Sequence, residues 1–220
     1  MWPADKPARH ALEGRYVRLE PIAALHAEAL YAASTEGAGE RFRYLAESPP
    51  ADVAAMCRWI ETAAAASDRI YFACVDRGSG RALGRQALMS IVPEHGVIEI
   101  GSILWGPKMS RTRLATEAVF LTASYVFDVL GYRRFEWKCN NLNEASKRAA
   151  LRFGFQPEGV FRQHLWVKGQ NRDTAWFSML DGEWPLLRSE YDRWLSPDNF
   201  TAATGIQRSP LLAAVRVTEA

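Results

Sequence analysis

The stretch V-I-E-I-G-S-I-L-W-G-P-K-M-S-R-T-R-L-A-T-E-A, from Val97 to Ala118, changes its apolar period once, and that change decides the fold. Val97 to Trp105 reads as a strand. From Thr112 the spacing becomes helical, with Leu114, Ala118, Leu121, Tyr125 and Val129 on one face, and it runs to Leu130 with Gly131 as the stop. A strand that passes through a short loop into a helix start exposes unpaired backbone N–H groups and the positive end of the helix dipole. Such a terminus can hold a pyrophosphate without a metal. Arg111 and Arg113 add positive charge beside it, which suits a cofactor carrying several phosphates. A plain helix start with solvated arginines has the same residues, so this segment alone leaves both readings open.

Working outward toward the N-terminus, Ile70 to Val75 and Ala82 to Val92 are further strands. Short turns at Arg77–Gly80 and Pro93–Gly96 join them to Val97–Trp105 as an antiparallel meander. Tyr16 to Glu20 is a strand ending at Pro21, and Ala23 to Ser34 is an alanine-rich helix. A loop through Gly37, Gly39, Pro49 and Pro50 leads to Asp52, which can cap a helix running to about Ala66 with Val53, Met56 and Ile60 on one face. Toward the C-terminus come a strand, Arg133 to Cys139, and a short helix, Asn143 to Phe153, stopped by Gly154. Two long strands, Phe155 to Lys168 and Thr174 to Leu180, flank Gly169-Gln170-Asn171, and Asp181 to Leu195 closes the order as a helix. The expectation is an α/β chain, an α+β mixed and mostly antiparallel sheet with helices on both faces. Residues 1–14 form an N-terminal extension, 15–195 the domain, and 196–220 a turn-rich C-terminal tail.

With 220 residues, 48% of them apolar, one full core is expected. The 27 basic and 25 acidic residues are interspersed, without the basic block of a nucleic-acid binder. No apolar stretch approaches the ~20 residues of a membrane span. Met1 to Arg15 carries Pro, Asp, Glu and Arg where a signal peptide is apolar, so a cytoplasmic protein with no membrane partner is expected. Cys57, Cys74 and Cys139 suit neither a disulfide framework nor a zinc site, and His10, His26, His95 and His164 are scattered, so no metal is expected. A P-loop and a strand-linked G-x-G-x-x-G are both missing.

A second informative stretch is C-N-N-L-N-E-A-S-K-R-A-A-L-R-F-G-F, Cys139 to Phe155. Asn143 has the residue type of an N-cap, with Ser146 in the first turn. Together with A-T-E-A at Ala115–Ala118 and the R-D-T, S-M-L and E-W run from Arg172 to Trp184, it resembles the GNAT acetyltransferases, and within them the RimJ/RimL-type branch that acetylates amino termini and small amines. The resemblance covers about Arg15 to Trp194. It implies a sheet that splays between the strand ending near Trp105 and the strand ending near Cys139, with acetyl-CoA in the opening. The family's pyrophosphate loop, R/Q-x-x-G-x-G/A, maps onto Ser110, Arg111, Thr112, Arg113, Leu114 and Ala115, followed by Thr116. Ser110 replaces the usual Arg or Gln, and Arg113 replaces the central glycine. Asn143 and Ser146 carry over to the pantetheine arm and the sulfur.

In that frame Glu99, on the cleft strand and facing away from Ile98 and Ile100, is the candidate base for a protonated amine. Backbone N–H groups near Leu104, beside Trp105, are candidates to stabilise a tetrahedral oxyanion. Ser146 is the candidate donor to the departing sulfur. No cysteine has the surroundings of an acyl-enzyme nucleophile, so direct transfer in a ternary complex is expected, to a small-molecule, amino-acid or peptide N-terminal amine. Trp105, Phe161, Arg162, His164, Trp166, Arg43 and Tyr44 are candidates for the acceptor side. Three alternatives stay open: a non-catalytic acyl-CoA-binding module, another donor such as succinyl-CoA, and a homodimer or partner contact through the Trp-rich closing helix and tail.

Overall fold

The computed structural model describes residues 3–37, 41–201 and 205–213; Gly39 and the end of the expected tail lie outside the described residues. Eight strands form one sheet: β1 (Leu12–Glu13), β2 (Val17–Pro21), β3 (Ile70–Asp76), β4 (Ala82–Val92), β5 (Val97–Trp105), β6 (Arg134–Asn140), β7 (Gln156–Val167) and β8 (Gln170–Leu180). Their order is β1-β2-β3-β4-β5-β6-β8-β7, antiparallel throughout except for the parallel pair β5 and β6. The helices are α1 (Ala27–Thr35), α2 (Val53–Ala65), α3 (Arg113–Ser124), α4 (Glu144–Arg152) and α5 (Trp184–Leu195), with single turns of 3-10 helix at Ala24–His26 and Pro197–Asn199.

β3 explains how one sheet makes two cores. Its residues Ile70 to Val75 are all buried. Because side chains alternate across a strand, Phe72 and Cys74 join Leu88, Ile98, Phe135 and Phe177 in the core under α3 and α5, whereas Tyr71, Ala73 and Val75 join Leu30, Met56 and Ile60 under α1 and α2. Helices therefore cover both faces, as expected. Asp52 caps α2 by accepting the Ala55 N–H, and Gly154, at φ 91°, ends α4 in the left-handed region.

Two expectations are corrected. The long helix does not stay α-helical to Leu130. Its last turn, Tyr125–Val129, is a π-helix closed by Leu130 N–H to Tyr125 C=O at 3.0 Å. The wider turn rotates the positions after Ser124, so Val126 and Phe127 are buried and Val129 is 65% exposed. The β7–β8 turn is also tighter than Gly169-Gln170-Asn171. Lys168 and Gly169, at φ 51° and 72°, make a two-residue turn, and β8 starts at Gln170 opposite Val167.

One carboxylate fastens the N-terminal strands to α3. Glu117 is buried and accepts the backbone N–H groups of Arg15 (2.8 Å), Tyr16 (2.6 Å) and Val17 (2.7 Å). The fit leaves no room for a side chain at residue 14, since a Cβ on Gly14 would stand 2.6 Å from a Glu117 carboxylate oxygen. Glu117→Ala should cost about 3 kcal/mol because it strands buried donors, lowering Tm by ~6–12 °C. Glu117→Gln, which keeps one acceptor, should cost less. Thermal melts of the two variants check the order.

Candidate active site

β5 and β6 pair only from Val97–Arg134 to Ile100–Trp137. Beyond that point β5 continues against β4, with Leu104 opposite Arg85, while β6 continues against β8. The two strands diverge into an opening. Trp105, Trp137 and Phe153 fill its base on the α3 side, their ring centroids 6.1 to 6.5 Å apart. In this segment the side of β5 that faces β6 has lost its strand partner.

A cavity of about 1100 Å³ adjoins the opening and is bounded by the start of α3, one face of α4 and the segment after α5. Of the residues singled out in the sequence it is lined by Trp105, Ser110, Arg111, Thr112, Arg113, Leu114, Ala115, Thr116, Asn143 and Ser146. Leu104 and Glu99 do not line it.

The loop before α3 is shaped by its own side chains. Ser110 donates its hydroxyl to the Trp105 carbonyl at 2.9 Å, closing the loop. Thr112 is the N-cap of α3 and accepts the Leu114 N–H at 3.2 Å. Arg111 sits at φ 62°, a left-handed conformation that costs a residue with a Cβ about 1 kcal/mol. Arg113 occupies the first helical position with negative φ, so the missing glycine leaves no strain. Its guanidinium leans back over the Tyr16 ring at 4.2 Å and lies 5.3 Å from the Phe200 ring. The backbone N–H groups of Arg111, Arg113 and Ala115 have no protein acceptor among the described residues.

Sequence reasoning missed the remaining charge. Arg148 and Arg152 line the cavity from α4, and Arg41 from the α1–α2 loop. Ala145, Arg148, Ala149 and Arg152 share one helical face, a spacing visible in the sequence once the helix is assigned. Together with Arg111 and Arg113 they give five guanidiniums. The one carboxylate on the lining, Asp76, is engaged by the N–H groups of Gly78 and Ser79 and by the Ser79 hydroxyl.

At the opening, Asn143 caps α4 by accepting the Ser146 N–H at 3.1 Å, so the Ser146 hydroxyl is not the cap. That hydroxyl accepts the Trp137 indole N–H at 2.9 Å. An indole only donates, so this bond does not use the Ser146 proton, which faces the neighbouring Cys139 sulfur, a second hydrogen-bond partner of the same hydroxyl. The Cys139 thiol, below it, is pushed up by burial, as is that of Cys74.

Glu99 lies on the other face of the sheet. It is buried and accepts from Ser90 Oγ (2.8 Å) and Lys138 Nζ (3.0 Å). Lys138 also meets Glu136 at 2.8 Å and stands 4.0 Å from the Trp176 ring. Phe161 and His164 lie 4.6 and 6.0 Å from Trp176, whereas Trp166 is 74% exposed and Arg43 lies 5.4 Å from the Tyr44 ring. At the β7–β8 turn, Lys168 reaches across to the Phe42 carbonyl at 2.8 Å, tying the hairpin tip to the α1–α2 loop. Among the described residues there is no group of three or more His, Cys, Asp or Glu placed to hold a metal, and no helix long and apolar enough to cross a membrane.

A sequence profile described as "Acetyltransferase (GNAT) domain" matches residues 17–156. The crystal structure of a GCN5-related N-acetyltransferase from Brucella melitensis is 57% identical, covers 95% of this chain and 95% of its own, and superposes with a TM-score of 0.92. An uncharacterized N-acetyltransferase of Bacillus subtilis, YoaA, is 33% identical over 104 residues, 47% of this chain and 58% of that relative, so the match spans just over half of the relative's length. A ribosomal-protein-S5-alanine acetyltransferase from Vibrio fischeri, 16% identical over 79% of this chain and 98% of its own, has a TM-score of 0.64 and is alike in fold alone.

Proposed function

The chain belongs to the GNAT acetyltransferase family, and we propose that it transfers an acetyl group from acetyl-CoA to a primary amine of a small molecule, amino acid or peptide N-terminus. The observation that carries the donor is the cavity wall: five guanidiniums against one engaged carboxylate, beside three backbone N–H groups at the start of α3 that have no acceptor among the described residues. That donor set fits a ligand with several phosphates and no metal. The Arg113 exchange, which would favour a non-catalytic binding module, is accommodated by the helical backbone and by stacking on Tyr16.

Acetyl-CoA, when bound, supplies the activated acyl carbonyl. Arg111, Arg113 and Ala115 hold the diphosphate through their N–H groups. The unpaired edge of β5 around Leu104 offers backbone N–H groups to the carbonyl oxygen as negative charge develops there. Ser146, its lone pair engaged by Trp137, gives its proton toward the departing sulfur. In the overall transfer a C–N bond forms, a C–S bond breaks, the amine loses a proton and the thiolate gains one. Glu99 is the candidate to receive the amine's proton, directly or through water, and Lys138 and Ser90 hold it in place. Burial disfavours thiolates at Cys74 and Cys139, which supports direct transfer over an acyl-cysteine. The tie from Lys168 to Phe42 supports a small acceptor, since a closed end admits an amino terminus or metabolite more readily than a chain passing through.

Calorimetry with excess chelator should show CoA binding unchanged by the chelator. Ala115→Pro, which deletes an N–H in the first helical turn, should weaken CoA about tenfold. No binding at millimolar CoA would remove the site assignment.

Glu99→Gln should lower turnover far more at neutral than at alkaline pH, because an amine that is already unprotonated needs less help from a base. Parallel pH profiles for variant and parent would take Glu99 out of the mechanism. Mass spectrometry of products from acetyl-CoA and a library of amino acids, dipeptides, amine metabolites and basic-tail peptides tests the acceptor class. A strong preference for internal lysines would contradict it.

A further inference from the structure

The segment after α5 is folded back and pinned by polar contacts. Asn199 donates to the Trp194 carbonyl at 2.9 Å and accepts from the Ser209 N–H and hydroxyl at 2.9 and 2.7 Å. Trp194 donates its indole N–H to Gln207 at 3.1 Å, and Phe200 and Gln207 form a bridge. Arg193, paired with Glu190 at 2.7 Å, ties in Ser209 and Pro210. These ties present Phe200, Ile206 and Gln207 to the cavity that α3 and α4 line, and Ile206 keeps its apolar side chain 62% exposed there. This segment follows the stretch, residues 17–156, matched by the family profile.

Beside this wall stands Arg152. One guanidinium nitrogen donates to Thr116 Oγ1 at 3.1 Å, and the group lies 5.2 Å from the ring centres of both Phe153 and Trp194. No carboxylate of the described residues pairs with it. Burial lowers its pKa, which marks a cation partly withdrawn from water without an acid to offset the cost. A half-buried cation next to an exposed aliphatic side chain and aromatic rings, all on one cavity, matches a ligand that carries a phosphate close to a flat heteroaromatic ring.

We propose that Arg152 and the wall formed by Phe200, Ile206 and Gln207 are the subsite for the phosphorylated adenosine end of the donor. This rests on the acyl-CoA reading above. The folded-back segment is then part of the binding site, and the site extends past the matched domain.

Calorimetry with CoA and, separately, with adenosine 3′,5′-bisphosphate, which lacks the pantetheine arm, tests it. Ile206→Asp, a surface change with an expected wild-type Tm, and Arg152→Gln should each weaken both ligands about tenfold or more, and Arg152→Lys should recover part of the loss. Wild-type affinity for both ligands in Ile206→Asp and Arg152→Gln would overturn the subsite while leaving the acyl-CoA reading intact. Failure of the unmodified protein to bind CoA would instead overturn that reading, and the subsite with it.

Discussion

Four parallel register pairs, Val97–Arg134 to Ile100–Trp137, join the two halves of the sheet. Every other neighbouring pair of strands is antiparallel. A parallel connection needs a crossover, and α3 with its π-turn is that crossover, so the helix is brought onto the sheet by the same pairing that ends early and lets the strands part. The opening, the orientation of the α3 start toward it, and the aromatic wedge of Trp105, Trp137 and Phe153 all follow from where that pairing stops.

The other face of the same junction is held by charge. A run of side chains crosses five strands: Ser90 to Glu99, Glu99 to Lys138, Lys138 to Glu136, Glu136 to Arg134, Arg134 to Glu158 and Glu158 to Ser178. Signs alternate, so each charge withdrawn from water has an opposite neighbour. The hydrogen bond from Arg134 holds the Glu158 carboxyl below its usual range, and the Glu158 contact raises the Arg134 guanidinium in return. Removing one member leaves its neighbour buried with a reduced set of partners, which is costlier than any single pair is stabilising. Glu99 is embedded in this chain, held between Ser90 and Lys138.

Strands and helices were legible in the sequence where local pattern determines them. Ile70 to Trp105 could be divided correctly because Gly and Pro turns punctuate it and each strand buries at least one face. The π-turn was not legible, since an apolar period of 3.6 continues plausibly through Tyr125 and Val129, and only tertiary packing reveals the additional residue. The stretch Gln170 to Asp173 is polar and looks like loop, yet its backbone pairs with an equally exposed β7, where solvent-facing side chains carry no alternation. At the site, Ser110 to Thr116 was readable because it is one continuous segment. Arg41, Arg152 and Phe200 were not, because they reach the cavity from three separate parts of the chain. For Glu99 the alternation identified the correct face, but its partner Lys138 comes from another strand and lies beyond local pattern.

The Glu117 clamp has a consequence for how the chain is made. The backbone groups it binds, from Arg15 to Val17, precede it by 100 to 102 residues. A ribosome delivers β1 and β2 long before it delivers their carboxylate. Until α3 emerges the N-terminal strands can align with β3 but cannot be locked against the core, and the nascent sheet keeps one loose edge for the interval of those hundred residues. The last step that secures the first strands is therefore the arrival of α3, whose same N-terminal end borders the cavity, so the N-terminal edge is locked while α4 and the segment after α5, which complete the cavity wall, are still to be made.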